Sequence, residues 1–307
     1  MATSTNVTTS YAGEFSAPLV SKALFSATTL DNELIRVMPN IKYKTILKKL
    51  ATGDLIQSAD CDFTANSSVT LTERELEVKP LKVNITICKR IFHDDYMGKS
   101  MQASAMGRTM PADFQSYLIE ELGKKVGAEM ESRIWNSTSD FDGFEVLMAA
   151  DADVTAVAGT AITKDNVLEE IEKLHASVGV ENITNSDLRF YVSQSIASKY
   201  VLALGGFAVA GLGANGVNGQ GSMWYDGQSL TFAGIPIVVA NGLNAGSMVA
   251  TLKDNLVFGC SLKSDLQSIK IIDMESTTGD DNVRYIMKFE AGVNYTFAED
   301  ISYYSVA

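Results

Sequence analysis

Cysteine is scarce in this sequence of 307 residues: Cys61, Cys88 and Cys260 are far apart, odd in number and without a CxxC pair. That excludes a disulfide scaffold and a cysteine-based zinc site, and fits inert thiols in a reducing compartment. Histidine is scarcer still, with only His93 and His175. The first sits in His93-Asp94-Asp95, the one place where histidine adjoins carboxylates. Adjacent residues point in different directions, so the triplet does not chelate one metal by itself; a solvated turn or a helix cap is its plain reading. Nucleophilic or metal-assisted catalysis therefore has little to work with, and neither an enzyme activity nor a cofactor is expected.

A targeting segment is also lacking. The first ten residues hold six Ser or Thr, no Lys or Arg, and no apolar core, which is not the pattern of a signal peptide. The charge-free run from Tyr200 to Tyr225 is broken by Gly and Asn too often for a membrane helix. Six Asn-x-Ser/Thr sequons, at Asn6, Asn66, Asn84, Asn136, Asn182 and Asn294, read as chance matches in a Thr-rich chain without a secretion signal. A nucleotide-binding loop is absent in substance. Gly211–Gly216 spells GLGANG, but VNGQGSMWYDG follows and cannot open a helix, and residue 236, where an acid would be needed, is proline.

What is present is an ordinary globular composition with an acidic balance. Apolar residues make up 46% and the net charge is −12. The first excludes a disordered or fibrous class; the second argues against a protein that grips nucleic-acid phosphate. The charge is uneven. Residues 1–50 carry six basic residues against three acids, and Arg36, Lys42, Lys44, Lys48 and Lys49 follow one another with no acid between. A mildly basic arm on an acidic body makes these residues, with Lys79 and Lys82, candidates for contacts between subunits.

The apolar periodicities predict extended elements. Residues 17–27, APLVSKALFSA, form a short amphipathic piece with a proline suited to its first turn. Leu81, Val83, Ile85 and Ile87 alternate with Lys82, Asn84, Thr86 and Cys88, the period of a half-buried strand. Leu76 and Val78 alternate in the opposite phase, and Pro80 marks the change. With the turn-rich stretch before it, this predicts a long hairpin that packs on something other than itself. From Pro111 to Asn136, Phe114, Leu118, Leu122, Val126, Met130 and Ile134 recur every fourth residue, predicting a helix of about 36 Å. Leu122 should face the strands of its own domain. A second helix is predicted over 164–178, with Thr163 as its cap. A strand over 188–193, a short helix, and a loop with seven glycines in 205–221 follow. The remainder is mostly strands, with Asp280-Asp281 in a hairpin turn. Trp135 and Trp224 are packing residues. Helices early and strands late predict an α+β fold.

An arm, a long hairpin, a long helix and a glycine loop, with no reaction site, would leave apolar faces wet in a monomer. Copies that cover one another resolve this. The order of these elements resembles the major capsid proteins of tailed bacteriophages, the Hong Kong 97-like fold. The phrase ELGKKVGAEMESRIWN ends the helix as spine helices of that family end. LTFAGIPIVVANGL, followed by VATLKDNLVFGC, is similar to a stretch of its axial domain; Gly234, Pro236, Asn255, Leu256 and Gly259 are the matching positions. The resemblance implies an N-terminal arm over 1–40 and an extended loop over 41–90. It further implies a peripheral domain over 91–144 with a spine over 111–136, an axial domain over 145–260, and return strands of the peripheral domain over 261–307. It implies a subunit that assembles as pentamers and hexamers into an icosahedral shell around double-stranded DNA, made in the host cytoplasm and located in the virion. Partners would be further copies, a portal protein and a separate scaffold or decoration protein, with no membrane. The arm is expected to be dispensable for folding. Alternatives are an encapsulin-like compartment of the same fold and, from another class, a secreted adhesin or binding module.

Overall fold

The computed structural model describes residues 28–52, 56, 58, 69–88, 112–204, 230–261, 270–275 and 278–306. The side chains of 49, 51–52, 69–70, 112–121 and 270 lie outside the described residues, as do the expected amphipathic piece at 17–27, His93-Asp94-Asp95, the glycine loop and Trp224.

Two sheets organise the molecule. The first has five strands: β1 (Arg36–Met38), β4 (Lys79–Cys88), β10 (Leu256–Cys260), β11 (Lys270–Asp273) and β12 (Asn282–Tyr295). β12 is its axis. β4 runs antiparallel along one edge of β12, from Ala291↔Lys79 to Asn282↔Cys88. β11 and β10 share the other edge, at 283–286 and 291–295. Val283, Tyr285, Met287, Phe289, Ala291, Val293 and Tyr295 alternate inward along β12. Helix α2 (Ala112–Asn136) shares their core: Val126, Met130 and Ile134 are buried with Met287, Phe289 and Leu81. Leu122 is half-buried against Val283, Tyr285, Ile85 and Ile87. The backbone at Phe114 and Leu118 is helical, but their side chains lie outside the described residues.

The second sheet has six strands in the order β5 (Thr155–Gly159), β13 (Ser302–Val306), β9 (Met248–Leu252), β6 (Leu188–Val192), β8 (Ile235–Val239), β7 (Thr231–Phe232). Its strands are divided between two cores by their alternation. Phe190 and Val192 pack with helices α4 (Val167–Ser177) and α5 (Gln194–Ala203). Tyr191, Val249 and Tyr303 point to the other face, where they join Ile134 and Trp135 of α2 and Phe144 of α3 (Phe144–Ala150). The end of the long helix thus sits under both sheets. The helix expected at 164–178 begins at Val167 and has Asn166, not Thr163, as its N-cap residue; the Asn166 side chain instead accepts hydrogen bonds from Thr163.

Four expectations change. Residues 28–40, placed with the arm, are built into the body. Helix α1 (Thr28–Asp31) and the segment after it bury Leu30, Leu34 and Ile35, and β1 runs parallel to β10. These side chains share the core with α2, so deleting this part is expected to destabilise the subunit, contrary to the expectation for the arm. Residues 79–88, placed in the projecting loop, form a full sheet strand because their apolar alternation matches that of β12 over ten residue pairs. The projecting element is shorter: β2 (Lys44–Thr52) and β3 (Val69–Glu77), paired only with each other. Finally, β10 falls with the first sheet and β13 with the second. A division at 145–260 and 261–307 therefore does not follow the hydrogen-bonded sheets.

Candidate assembly surface

The β2–β3 hairpin carries three large apolar side chains that are strongly exposed. Ile46 is 50% exposed, Leu50 64% and Leu71 55%. In the antiparallel register Leu50 lies opposite Leu71, Lys48 opposite Glu73, Ile46 opposite Glu75 and Lys44 opposite Glu77. Directly opposed residues share a face, so these eight side chains make one outer surface. Lys44 Nζ lies 3.0 Å from Glu75 and 3.4 Å from Glu77, and Lys48 Nζ 3.9 Å from Glu73. Lys79 also pairs with Glu77. Glu75 raises the affinity of Lys44 for its proton, and Lys79 and Lys44 hold the Glu77 carboxyl below its usual range.

The inner face of the hairpin holds to the body at its root. Leu47 and Leu76 are buried with Ile41, Val78 and Val257. Arg74 Nη2 donates to Asp151 Oδ2 at 2.6 Å, and its guanidinium lies 4.3 Å from the Tyr295 ring centre. The Tyr295 hydroxyl donates to the same carboxylate at 2.8 Å. Burial would raise the Asp151 carboxyl, but Arg74 and Tyr295 outweigh it and hold it below the usual carboxylate range; burial pushes Tyr295 up to about 12. Asn294 Nδ2 donates to the Glu75 carbonyl at 2.6 Å. Gly292 faces the backbone at Glu77, where any Cβ would overlap the carbonyl. The root is thus fastened by an ion pair, a hydrogen bond and a close backbone approach.

The positions matched to the axial-domain stretch have structural roles. Asn255 is 3% exposed and joins two chain segments. Its Nδ2 donates to Thr251 Oγ1 at 3.0 Å and to the Phe297 carbonyl at 2.8 Å. Its Oδ1 accepts from the backbone N–H groups of Thr296 and Phe297. Leu256 is fully buried, and a Cβ on Gly259 would sit 2.9 Å from Ile41 and 3.0 Å from Leu76. Ala233 and Gly234, with φ of 49° and 85°, form a two-residue turn between β7 and β8, which favours glycine at its second position. Pro236 lies beside that turn, paired only with the short edge strand β7, where a missing N–H is tolerated.

Of the seven basic candidates, Lys44, Lys48 and Lys79 each lie beside an acid of the hairpin. Arg36, Lys42 and Lys82 are exposed; the Lys49 side chain lies outside the described residues. Arg74, Asp151 and Asn294 carry no such signal, since their partners are far along the chain. Trp135 is the packing residue expected, fully buried, and also donates to Thr29 Oγ1 at 2.9 Å; Thr29 in turn donates to the buried Glu131. His175 packs edge-on against Phe190 and Phe232. Among the described residues no group of three or more His, Cys, Asp or Glu could hold a metal, and no helix is long and apolar enough to cross a membrane.

No family model and no curated protein matches the sequence. The fold does have counterparts among solved structures. The capsid of an empty GTA particle matches with a TM-score of 0.58, covering 92% of this chain and 90% of that one at 13% identity. A satellite phage P4 procapsid that includes the size determination (Sid) protein matches at 0.57, over 94% and 98% at 12% identity. A virus-like particle from Pyrococcus furiosus matches at 0.53, over 95% and 100% at 11% identity. This chain has the Hong Kong 97-like capsid fold.

Proposed function

We propose that the chain is the structural subunit of an icosahedral shell, non-enzymatic in role, that encloses bacteriophage double-stranded DNA. One observation carries the reading: the capsid fold extends over nearly the whole chain and over 90% or more of the GTA, satellite-phage and virus-like-particle subunits. In this reading the β2–β3 hairpin is the extended loop, α2 the spine, the five-stranded sheet the peripheral domain and the six-stranded sheet the axial domain. Copies meet as pentamers and hexamers, with a portal and a separate scaffold or decoration protein as further partners. The shell is assembled in the host cytoplasm and belongs to the virion. A net charge of −12 suits a wall that contains DNA without binding it tightly. No observation favours the encapsulin-like compartment or the adhesin over this reading. Negative-stain microscopy of the purified full-length chain tests it: closed icosahedral particles are expected, and a field of discrete monomers would refute it.

A further inference from the structure

The turn over 241–247 joins β8 to β9 in the second sheet and rests on α2 and α3. Asn136, the last residue of α2, donates from Nδ2 to Asn244 Oδ1 at 2.8 Å. A Cβ on Gly242 would overlap the Glu131 carbonyl of α2, so the two backbones meet with no room between them. On its other side α3 packs under the first sheet, where Phe144 and Met148 share the core of Met287, Phe289 and Tyr295. Glu145 of α3 lies at this junction. It is 3% exposed; its Oε2 accepts from the Asn244 N–H at 3.3 Å, and its Oε1 has no hydrogen-bond partner among the described residues. A buried acceptor without a partner is costly, and a buried charge without a counter-ion costs more. The neighbouring groups do not supply one. On α2, Arg133 is paired with Asp140 and Glu131 with Thr29. On β12, Tyr295 bonds Asp151. On β13, burial raises Tyr303, Ser247 opposes the rise and the Glu145 charge adds to it. Burial likewise raises the Glu145 carboxyl above its usual range, outweighing the Ser247 side chain and the Asn244 N–H, which favour the charged form.

We infer that Glu145 is a proton-binding site at the contact between the two sheets, where the neutral acid seats the 241–247 turn on α3 and the carboxylate loosens it. The step is the uptake of one proton from solvent by the carboxylate; no other bond forms or breaks. The inference concerns the subunit alone and goes beyond the shell reading, so failure of either leaves the other standing. Because folding raises this carboxyl, the folded chain holds the proton better than the unfolded one. The stability this contributes is complete below 4.5, the unfolded value, and is lost as pH rises through the folded value above it. Glu170, lowered to about 2, acts in the opposite direction below 4.5, so a pH scan separates the two residues.

The test uses the full-length chain, unaltered and as Glu145→Gln and Ser247→Ala, from pH 4.5 to about pH 8. Glutamine keeps the shape of the neutral acid and cannot ionise. Glu145→Gln should melt with the unaltered chain at the acid end and about 2–4 °C above it at the alkaline end. Amide exchange over 144–150 and 241–247, corrected for its intrinsic pH dependence, reads the junction itself. Across the range it should quicken by about tenfold in the unaltered chain and stay constant in Glu145→Gln. Ser247→Ala removes a group that favours the charged form, so its losses with rising pH should be steeper than those of the unaltered chain. That variant decides the matter if Glu145→Gln does not fold: an unchanged slope would count against the inference. A melting gap between Glu145→Gln and the unaltered chain that stays constant with pH overturns it, as does exchange at the junction that is the same at both ends of the range in the unaltered chain.

Discussion

Glu170 shows how single residues hold the second sheet together. It is 2% exposed, and burial alone would raise its carboxyl. Lys173 Nζ at 2.8 Å, the Tyr304 hydroxyl at 2.7 Å and Thr160 Oγ1 at 2.8 Å outweigh that burial and bring it from 4.5 down to about 2. A carboxylate lowered in this way adds stability above its unfolded pKa and loses it on acidification towards its folded pKa. The melting temperature should therefore fall between pH 4.5 and about 2, and Glu170→Gln should narrow its gap from the unaltered protein across that window. A constant gap would contradict the assignment. On α2 the burial gradient makes a second expectation. Ile134 is fully buried, whereas Leu122 is half-buried beside a small apolar hollow lined by Val83, Ile85 and Tyr285. Ile134→Ala should cost about 2–5 kcal/mol and Leu122→Ala distinctly less. Equal losses in denaturant unfolding of the subunit would show that the helix is rotated from this phase.

The elements show which signals a sequence carries and which it does not. The strand at 79–88 is legible because Leu81, Val83, Ile85 and Ile87 keep a strict period of two. Its partner is not, because β12 lies about two hundred residues away and alternation does not name a partner. The phase change at Pro80 is real evidence of a boundary: Leu76 and Val78 pack in one core at the hairpin root, and Leu81 in another under α2. The long helix is legible in existence, and its described residues run from Ala112 to Asn136. The burial of 28–40 is hidden, since Leu30, Leu34 and Ile35 form too short an apolar group to reveal their destination. The latch at the hairpin root is equally hidden, joining Arg74 and Asp151 across 77 residues. That latch makes its own expectation. Arg74→Ala removes the ion pair and the stacking on Tyr295, and amide exchange across 44–52 and 69–77 in the subunit should quicken by about tenfold, with β12 little changed. Unchanged exchange in the hairpin would mean that Leu47 and Leu76 alone hold the root.

At the scale of the whole molecule, the acidic charge and the order of elements are readable in the amino-acid sequence. The division of strands between the two sheets is not, because β10 and β13 are both short and mostly buried, and only their pairing assigns them. Asn255 explains how the exchange is made: one side chain bonds the end of β9 to the chain between β12 and β13, where the two sheets pass strands to each other. A subunit built this way has apolar cores of its own. Its hairpin leaves Ile46, Leu50 and Leu71 exposed, and the proposed function is that copies of the chain close into a shell. Sedimentation velocity of the purified full-length chain is the most direct test of that conclusion. A dominant boundary far heavier than any small oligomer of a 33.1 kDa subunit, coming from closed particles, is the expected result. A single boundary at the mass of one folded chain, unchanged over concentration, would contradict it.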